Sequence, residues 1–320
     1  MKKNMVNTEA LEGRLYDIEN VQLKTVQNQN SKFFGQEFWS GTLHIATDEE
    51  GLNVIPVHYT FILRNFANGK PDSRFAALEK ITREEKTWTK VGKDNAAMLK
   101  LTPSAAVNDF YPQGEDRLVT TQRNEGGFIN FINTLSAPGM TRNKFTLDIV
   151  INDVKVVEPT EDSNDTPYAK IHGLIFDFRK AVMPFDVVAR DPGAINYFES
   201  LGVSKKEPVF TQVWGEIEST TISIKREVES AFGEPTVEFV ERTRREWVVK
   251  GAKPVPYDFG TEDTITVEEL QKAIADRNVY LETVKANAKA YYANRNNAAA
   301  PATQAAPNFS SNIPDANFDF

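Results

Sequence analysis

The sequence predicts a mainly β chain in which one barrel-forming unit is used twice, followed by a C-terminal helix and a disordered tail. Three observations carry that expectation. The stretch "GRLYDIENVQLKTV" with "EFWSGTLHIATDEEGLNVIPVHYTFI" is matched by "FTLDIVINDVKVVE" with "YAKIHGLIFDFRKAVMPFDVVARD", pairing Val21 with Val154, Gly41 with Gly173 and Pro56 with Pro184. Within each copy, apolar residues recur every second position on both sides of a short turn, which is the pattern of a β-hairpin. From Asn296 the chain reads "NNAAAPATQAAP", too poor in apolar side chains to form a core.

The elements follow in order. In the first hairpin Leu43 and Ile45 alternate with Thr42 and His44, and Ile55, Val57, Tyr59 and Phe61 alternate with Pro56, His58 and Thr60, across a "TDEEGLN" turn. In the second, "KIHGLIFDF" and "AVMPFDVVA" flank an "RK" turn. Ile171 and Ile175 share one face there, and Leu174, Phe176 and Phe178 the other, so this strand needs cover on both sides. "DPGAINYFESLGV" reads as a short helix stopped by Gly202, and "KKEPVFTQVWGEIES" as a further strand. A long first strand, a hairpin, a short helix and further strands is the order of the oligonucleotide-binding barrel, or OB-fold, which Ile171–Ile217 resembles along its length.

The first unit departs from that order at Arg64–Met140, a long excursion containing "KPDSRFAALEKITREE" and "GGFINFINTL", so its closing strands have no assigned place. "VEFVERTRREWVVKGAKPVPYDF" reads as two strands or an arm. Thr266 and Glu269 stand at capping-box spacing before a helix whose apolar stripe is Leu270, Ile274, Leu281, Val284 and Ala288. The domains expected are therefore two OB-like barrels in tandem, at residues 1–140 and 141–259, a helix at 260–295, and a disordered linker and interaction tip at 296–320.

With 40% hydrophobic and 26% charged residues among 320, the composition is that of a soluble globular protein. It has no apolar run of membrane-spanning length, no secretory signal at the start and no cysteine, so a cytoplasmic protein without disulfides is expected. The net charge of −8 is uneven: residues 1–150 carry 18 Lys and Arg against 18 Asp and Glu, leaving the whole −8 to residues 151–320. Screening limits the reach of charge to about 8–10 Å, so local basic clusters matter more than this average. No Walker loop, GxGxxG, HExxH or GxSxG motif is present, so no enzyme is expected, and no cofactor. His44 and His58 share a face without a third ligand, so they make no metal site. The acids of "EDSND" and "TDEEG" read as solvated turns.

What the sequence does repeat is aromatic rings beside positive charge, the mixture that binds single strands by base stacking in a basic groove. Lys32 stands beside Phe33, Phe34 and Phe38 in the loop after the first strand; Trp88 lies among Lys86, Lys90 and Lys93; Phe176 and Phe178 precede Arg179 and Lys180. "ERTRREWVVKGAKP" sets Arg244, Arg245 and Lys250 around Trp247. Trp39 is in phase with Leu43 and Ile45, hence a core residue, which leaves Phe38 for the surface.

The ending "NIPDANFDF" resembles the C-terminal tip of bacterial and bacteriophage single-stranded-DNA-binding proteins, and the chain's length and repeat resemble a phage-type member. The resemblance implies non-specific binding of single-stranded DNA in replication, recombination or repair. It also implies partner recruitment, with Ile313, Pro314, Asp315, Phe318, Asp319 and Phe320 entering basic-rimmed apolar pockets on replication or recombination proteins. A homo-oligomer is compatible with it. The other readings are an assembly module of a phage particle, or a nuclease with a carboxylate site.

Overall fold

The computed structural model describes residues 5–136, 142–159, 165–228 and 236–297. The tip residues Ile313, Pro314, Asp315, Phe318, Asp319 and Phe320 lie outside them. The chain is mainly β, with two OB-like barrels in tandem. In the first, β1 (Asn7–Thr25) pairs antiparallel with β2 (Glu37–Ala46), and β2 with β3 (Val54–Leu63). Helix α1 (Ser73–Glu84), capped by Asp72, follows, then the short α2 (Trp88–Val91) and a 3-10 turn. β4 (Met98–Leu101) and β5 (Ser104–Phe110) are two halves of one bent strand, the first paired with β1 and the second with β6 (Val119–Glu125).

The bend falls at Pro103, which has no N–H for a ladder. Its carbonyl accepts from Glu9 N at 2.9 Å, and the Asn7 side chain bonds both backbone groups of Ala105, so β1 stays joined across the break. β6 runs parallel to β3 and closes the barrel, and β7 (Ile129–Phe131) adds an edge to β4. The described part of the Arg64–Met140 excursion, to residue 136, is thus the closing half of the first barrel. The bent strand hid it, because β4 is only four residues long and β5, "SAAVNDF", has no clear apolar and polar alternation to read.

The second barrel repeats this order without the break. β8 (Asn143–Val157) pairs with β9 (Tyr168–Phe176), β9 with β10 (Val182–Ala189), and α3 (Pro192–Ser200) leads to β11 (Val209–Val228) and β12 (Thr236–Ala252). β11 returns to β8, and β12 pairs with β11 and runs parallel to β10. The two second strands carry glycine at the same place: a Cβ on Gly41 would lie 2.4 Å from Val21 Cα, and one on Gly173 2.6 Å from Ile149 Cγ1. Each first strand crosses its neighbour closely there. The pairs that flank the glycines, Thr42–Glu19 and Ser40–Gln22 in the first barrel and Leu174–Val150 and His172–Asp153 in the second, set Val21 level with Asn152 and not with Val154.

Residues Asn7–Leu11 of β1 pair with Leu147–Asn143 of β8, so one sheet runs through both barrels and a single apolar core continues beneath it. Helix α4 (Val267–Asn297) carries the expected capping box, with Thr266 N donating to Glu269 Oε2 at 2.9 Å and Glu269 N to Thr266 Oγ1 at 3.1 Å. Its inner stripe is Leu270, Ala273, Arg277, Leu281, Val284 and Ala288; Ile274 stands outside it. The difference lies in Arg277, which reaches Asp109 of β5 at 2.8 Å and the Val182 carbonyl of β10 at 3.5 Å and so fastens both barrels. No helix among the described residues is long and apolar enough to cross a membrane.

Candidate nucleic-acid interface

At the β1–β2 loop, residues 26–36, the predicted rings do come together. Lys32 Nζ stands 5.2 Å from the centre of the Phe33 ring, Phe33 meets Phe61 edge-on at 5.7 Å, and Phe61 lies 4.6 Å from Phe38. Phe34, near the loop's β2 end, is 52% exposed. Alternation places Phe61 in the core, but the β2–β3 register slips between the Trp39–Ile62 and Gly41–Tyr59 pairs. That bulge hands the core position to Ile62 and turns Phe61 outward. Phe38 does face outward as its phase requires, yet it is buried, because Phe61 covers it. It supports the exposed rings and is not itself a stacking surface. Phe61 was hidden from sequence reasoning, since nothing in "YTFILR" marks the extra residue.

At the β9–β10 turn, Phe178 is 73% exposed, with the Arg179 guanidinium 4.9 Å from its ring. Asp177 builds the turn by accepting from the backbone N–H groups of Arg179 and Ala181, each at 2.8 Å. Lys180 takes the left-handed conformation the turn needs, at φ 66°. Phe176 is not part of this surface. It is fully buried with Val150, Val182, Phe210, Ile265 and Leu270, because the start of α4 supplies the second cover that its strand requires.

Trp88 packs half-buried on Tyr16, at 5.7 Å, and against Gly51 of the β2–β3 turn. Its cations are committed: Lys90 pairs with Glu85, and Lys93 lies 3.0 Å from Glu49 while also donating to the Glu49 carbonyl. Arg142 holds Glu49 from the other side at 2.8 Å, and the two hydrogen bonds take its carboxyl down to about 2. The same turn meets the second barrel. Asn53 Nδ2 donates to the Ile217 carbonyl at 3.1 Å, Ser219 N to Asn53 Oδ1 at 2.8 Å, and Arg245 Nε to the Val54 carbonyl at 3.3 Å. Trp88 and the base of the β11–β12 arm therefore flank one turn.

Of the arm's predicted residues, Arg245 and Lys250 are exposed, Lys250 pairing with Glu218 at 2.7 Å. Trp247 is buried in the second barrel, edge-on to Phe185 at 4.8 Å, where alternation along β12 turns it inward. Arg244 is also withdrawn. It lies 2.9 Å from Asp165 and 2.7 Å from Glu246, Arg190 holds the same two carboxylates at 3.0 and 2.6 Å, and both guanidinium groups sit over Tyr168. Further out, Phe239 is 70% exposed beside Lys225 of the facing strand, a ring the sequence reading passed over. Arg244→Ala is accordingly expected to cost about 3 kcal/mol of stability. This is the low end for a broken buried ion pair, because Arg190 still holds both carboxylates. Arg245→Ala with Lys250→Ala should cost under about 1 kcal/mol, as exposed pairs do. Urea denaturation of the two variants checks this; equal losses would make Arg244 an ordinary surface cation.

His44 and His58 have partners within the first barrel's sheet. His44 Nε2 lies 3.2 Å from Glu19, and the Thr42 hydroxyl shares a 3.0 Å hydrogen bond with His58 Nδ1. Burial, aided by Arg123, takes His58 down to about 4, so it is neutral at ordinary pH.

The sequence matches the model of the YorF family over residues 10–287. No curated protein matches it. Among solved structures it is similar to the single-stranded DNA binding protein from Thermus aquaticus. A deletion mutant of that protein matches with 12% identity and a TM-score of 0.45, over 81% of this chain and 98% of that one. The wild-type form matches with 12% identity and a TM-score of 0.43, over 80% and 98%.

Proposed function

The chain belongs to the YorF family, and we propose that it binds single-stranded DNA without sequence preference, by stacking bases on exposed rings and neutralising phosphates. One observation carries the reading. The first loop of an OB-like barrel, a loop such folds use for ligands, presents Phe33 and Phe34 with Lys32, backed by Phe61 and Phe38. Phe178 with Arg179, and Arg245, Lys250 and Phe239 on the arm, supply further contacts on the second barrel. The protein then covers single strands during replication or recombination.

A duplex hides the base faces that stacking needs, so single strands should be strongly preferred, and affinity should fall steeply with salt as counterions are released. Fluorescence titrations with oligo-dT and with a duplex of equal length, at two salt concentrations, test this. Equal affinity for both forms would sink the proposal, and no binding to either would favour an assembly role.

The tail belongs to the same proposal as a recruiting segment. Deleting residues 312–320 removes Asp315 and Asp319, so oligonucleotide affinity should hold or rise, and the melting temperature should stay. Capture of replication proteins should be lost, with Phe320→Ala doing most of that damage. A drop of several degrees in melting temperature would make the tail part of the fold and end the recruiting role.

A further inference from the structure

The closing half of the first barrel, for which the sequence offered no role, carries a second set of rings and cations. Residues 64–85 hold five cations, Arg64, Lys70, Arg74, Lys80 and Arg83, against Asp72, Glu79 and, at the far end of α1, Glu84 and Glu85, in a chain whose net charge is −8. Three of the five lie on rings: Arg64 is 4.4 Å from the centre of Phe75, Arg74 5.4 Å from Phe66, and Lys80 4.0 Å from Phe131. Phe75 is core, but Phe66 and Phe131 are more than a third exposed, and Phe128 is 53% exposed.

The placement has a local cause. Gly126 and Gly127 both take positive φ, and a Cβ on Gly127 would lie 2.2 Å from the Thr102 carbonyl, so the chain turns tightly after β6. Phe128 N then donates to Thr102 Oγ1 at 3.2 Å, and β7 is laid on β4 beside α1. Folding alone gives no reason for a large ring at Phe128, which stays half in water. Lys80 and Lys70 have no carboxylate partner among the described residues. Arg74 is held by Asp72 through a two-pronged contact, at 2.9 and 2.6 Å, that fixes it against Phe66.

This set is continuous with the loop of the first barrel. Arg64 directly follows β3, lies 3.2 Å from Glu37 at the foot of that loop, and is followed two residues later by Phe66. Arg74 and Lys80 are six residues apart on α1, about 9 Å of rise, so the run beyond the loop spans a few nucleotides.

We infer that bound single-stranded DNA continues from the β1–β2 loop over α1 to the edge of β7, with Phe66, Phe128 and Phe131 as stacking surfaces and Lys70 and Lys80 on phosphates. The inference rests on the proposed function and lengthens its site. The carrying observation is the juxtaposition of exposed rings with cations along an element that packs on β1, β2 and β3, the strands that carry the loop, with charge opposite to the ligand's.

The test compares full-length protein with a Phe66→Ala, Phe128→Ala, Lys80→Gln variant on oligo-dT of about 6 and about 24 nucleotides, lengths that bracket what one OB barrel covers. The variant should match the parent on the short oligonucleotide and bind the long one at least about tenfold more weakly. Equal affinity for the long oligonucleotide in a folded variant overturns the inference. Parent protein that binds neither oligonucleotide shows instead that the single-strand reading has failed. Should the triple variant not fold, Lys80→Gln alone is read by salt titration on the long oligonucleotide. Its slope of log affinity against log salt should fall by about 0.7, and an unchanged slope overturns the inference equally.

Discussion

Replacing Glu9 by glutamine should stabilise the protein at alkaline pH and leave it nearly unchanged in mild acid. Glu9 lies on β1 where the two barrels share a sheet, is almost wholly buried, and accepts a hydrogen bond from Trp247 Nε1 at 2.8 Å; its other carboxyl oxygen has no partner. Burial drives its pKa up to about 8, against the smaller downward pull of the Trp247 bond. The folded state therefore keeps the proton where the unfolded chain, near 4.5, releases it. Stability linked to this group is full below about pH 4.5, declines as pH rises, and is lost through pH 8. At about 1.4 kcal/mol per pH unit, the whole decline is on the order of 4–5 kcal/mol. A glutamine side chain in its place carries no charge at any pH, and its carbonyl can still accept from Trp247. Urea titrations of both proteins at pH 5.5, 7 and 9 measure the gap, which should widen across that range. Parallel profiles would mean that Glu9 is ionised in the fold and finds compensation elsewhere.

Glu9 also shows where reading a sequence stops. In "NTEALEGRL" it shares the inward parity of Leu11 and Leu15, yet it is a carboxylate near the start of the strand, and nothing local says that a second barrel will close over it. The elements that could be read were those whose cause lies within a few residues. The hairpins follow from alternation, the end of α3 from Gly202, and the start of α4 from Thr266 and Glu269. Those that could not be read depend on distant partners. Phe176 and Trp247 look like Phe178 on a local view, but α4 covers the first and the second barrel encloses the other. Arg244 and Arg245 are neighbours, yet strand parity sends one into an ion-pair network with Arg190 and leaves the other at the surface. The bulge that brings Phe61 outward is a property of the β2–β3 register, and the bent strand at Pro103 shows itself only once β1 and β6 are there to pair with its halves. Aromatic and basic composition marks candidates for a surface, while tertiary pairing decides which of those residues are free to meet a ligand.

The β1–β2 loop is where loss of ligand binding should be largest. Phe33→Ala with Phe34→Ala removes two rings from a loop whose scaffold, the Phe38–Phe61 contact, stays in place. A stacked base is worth about 1–3 kcal/mol, so the pair should cost about 2–6 kcal/mol, a drop in affinity for oligo-dT of at least about thirtyfold. Stacking releases no counterions, so the salt dependence of the remaining binding should be unaltered. Lys32→Ala separates the other half of the mechanism. It should weaken binding modestly and lower the slope of log affinity against log salt by about 0.7, one phosphate contact to a single strand. Phe34 is half in water already, so its removal should scarcely move the melting temperature, whereas Phe33 packs edge-on to Phe61 and will cost some stability. Thermal melts alongside oligonucleotide titrations at two salt concentrations keep the effects apart. If the double variant melts lower but binds as the parent does, the rings only hold the loop together, and the interface on the first barrel must be sought elsewhere. If it binds thirtyfold more weakly at an unchanged melting temperature, the loop is a stacking platform, and its rings are in contact with bases.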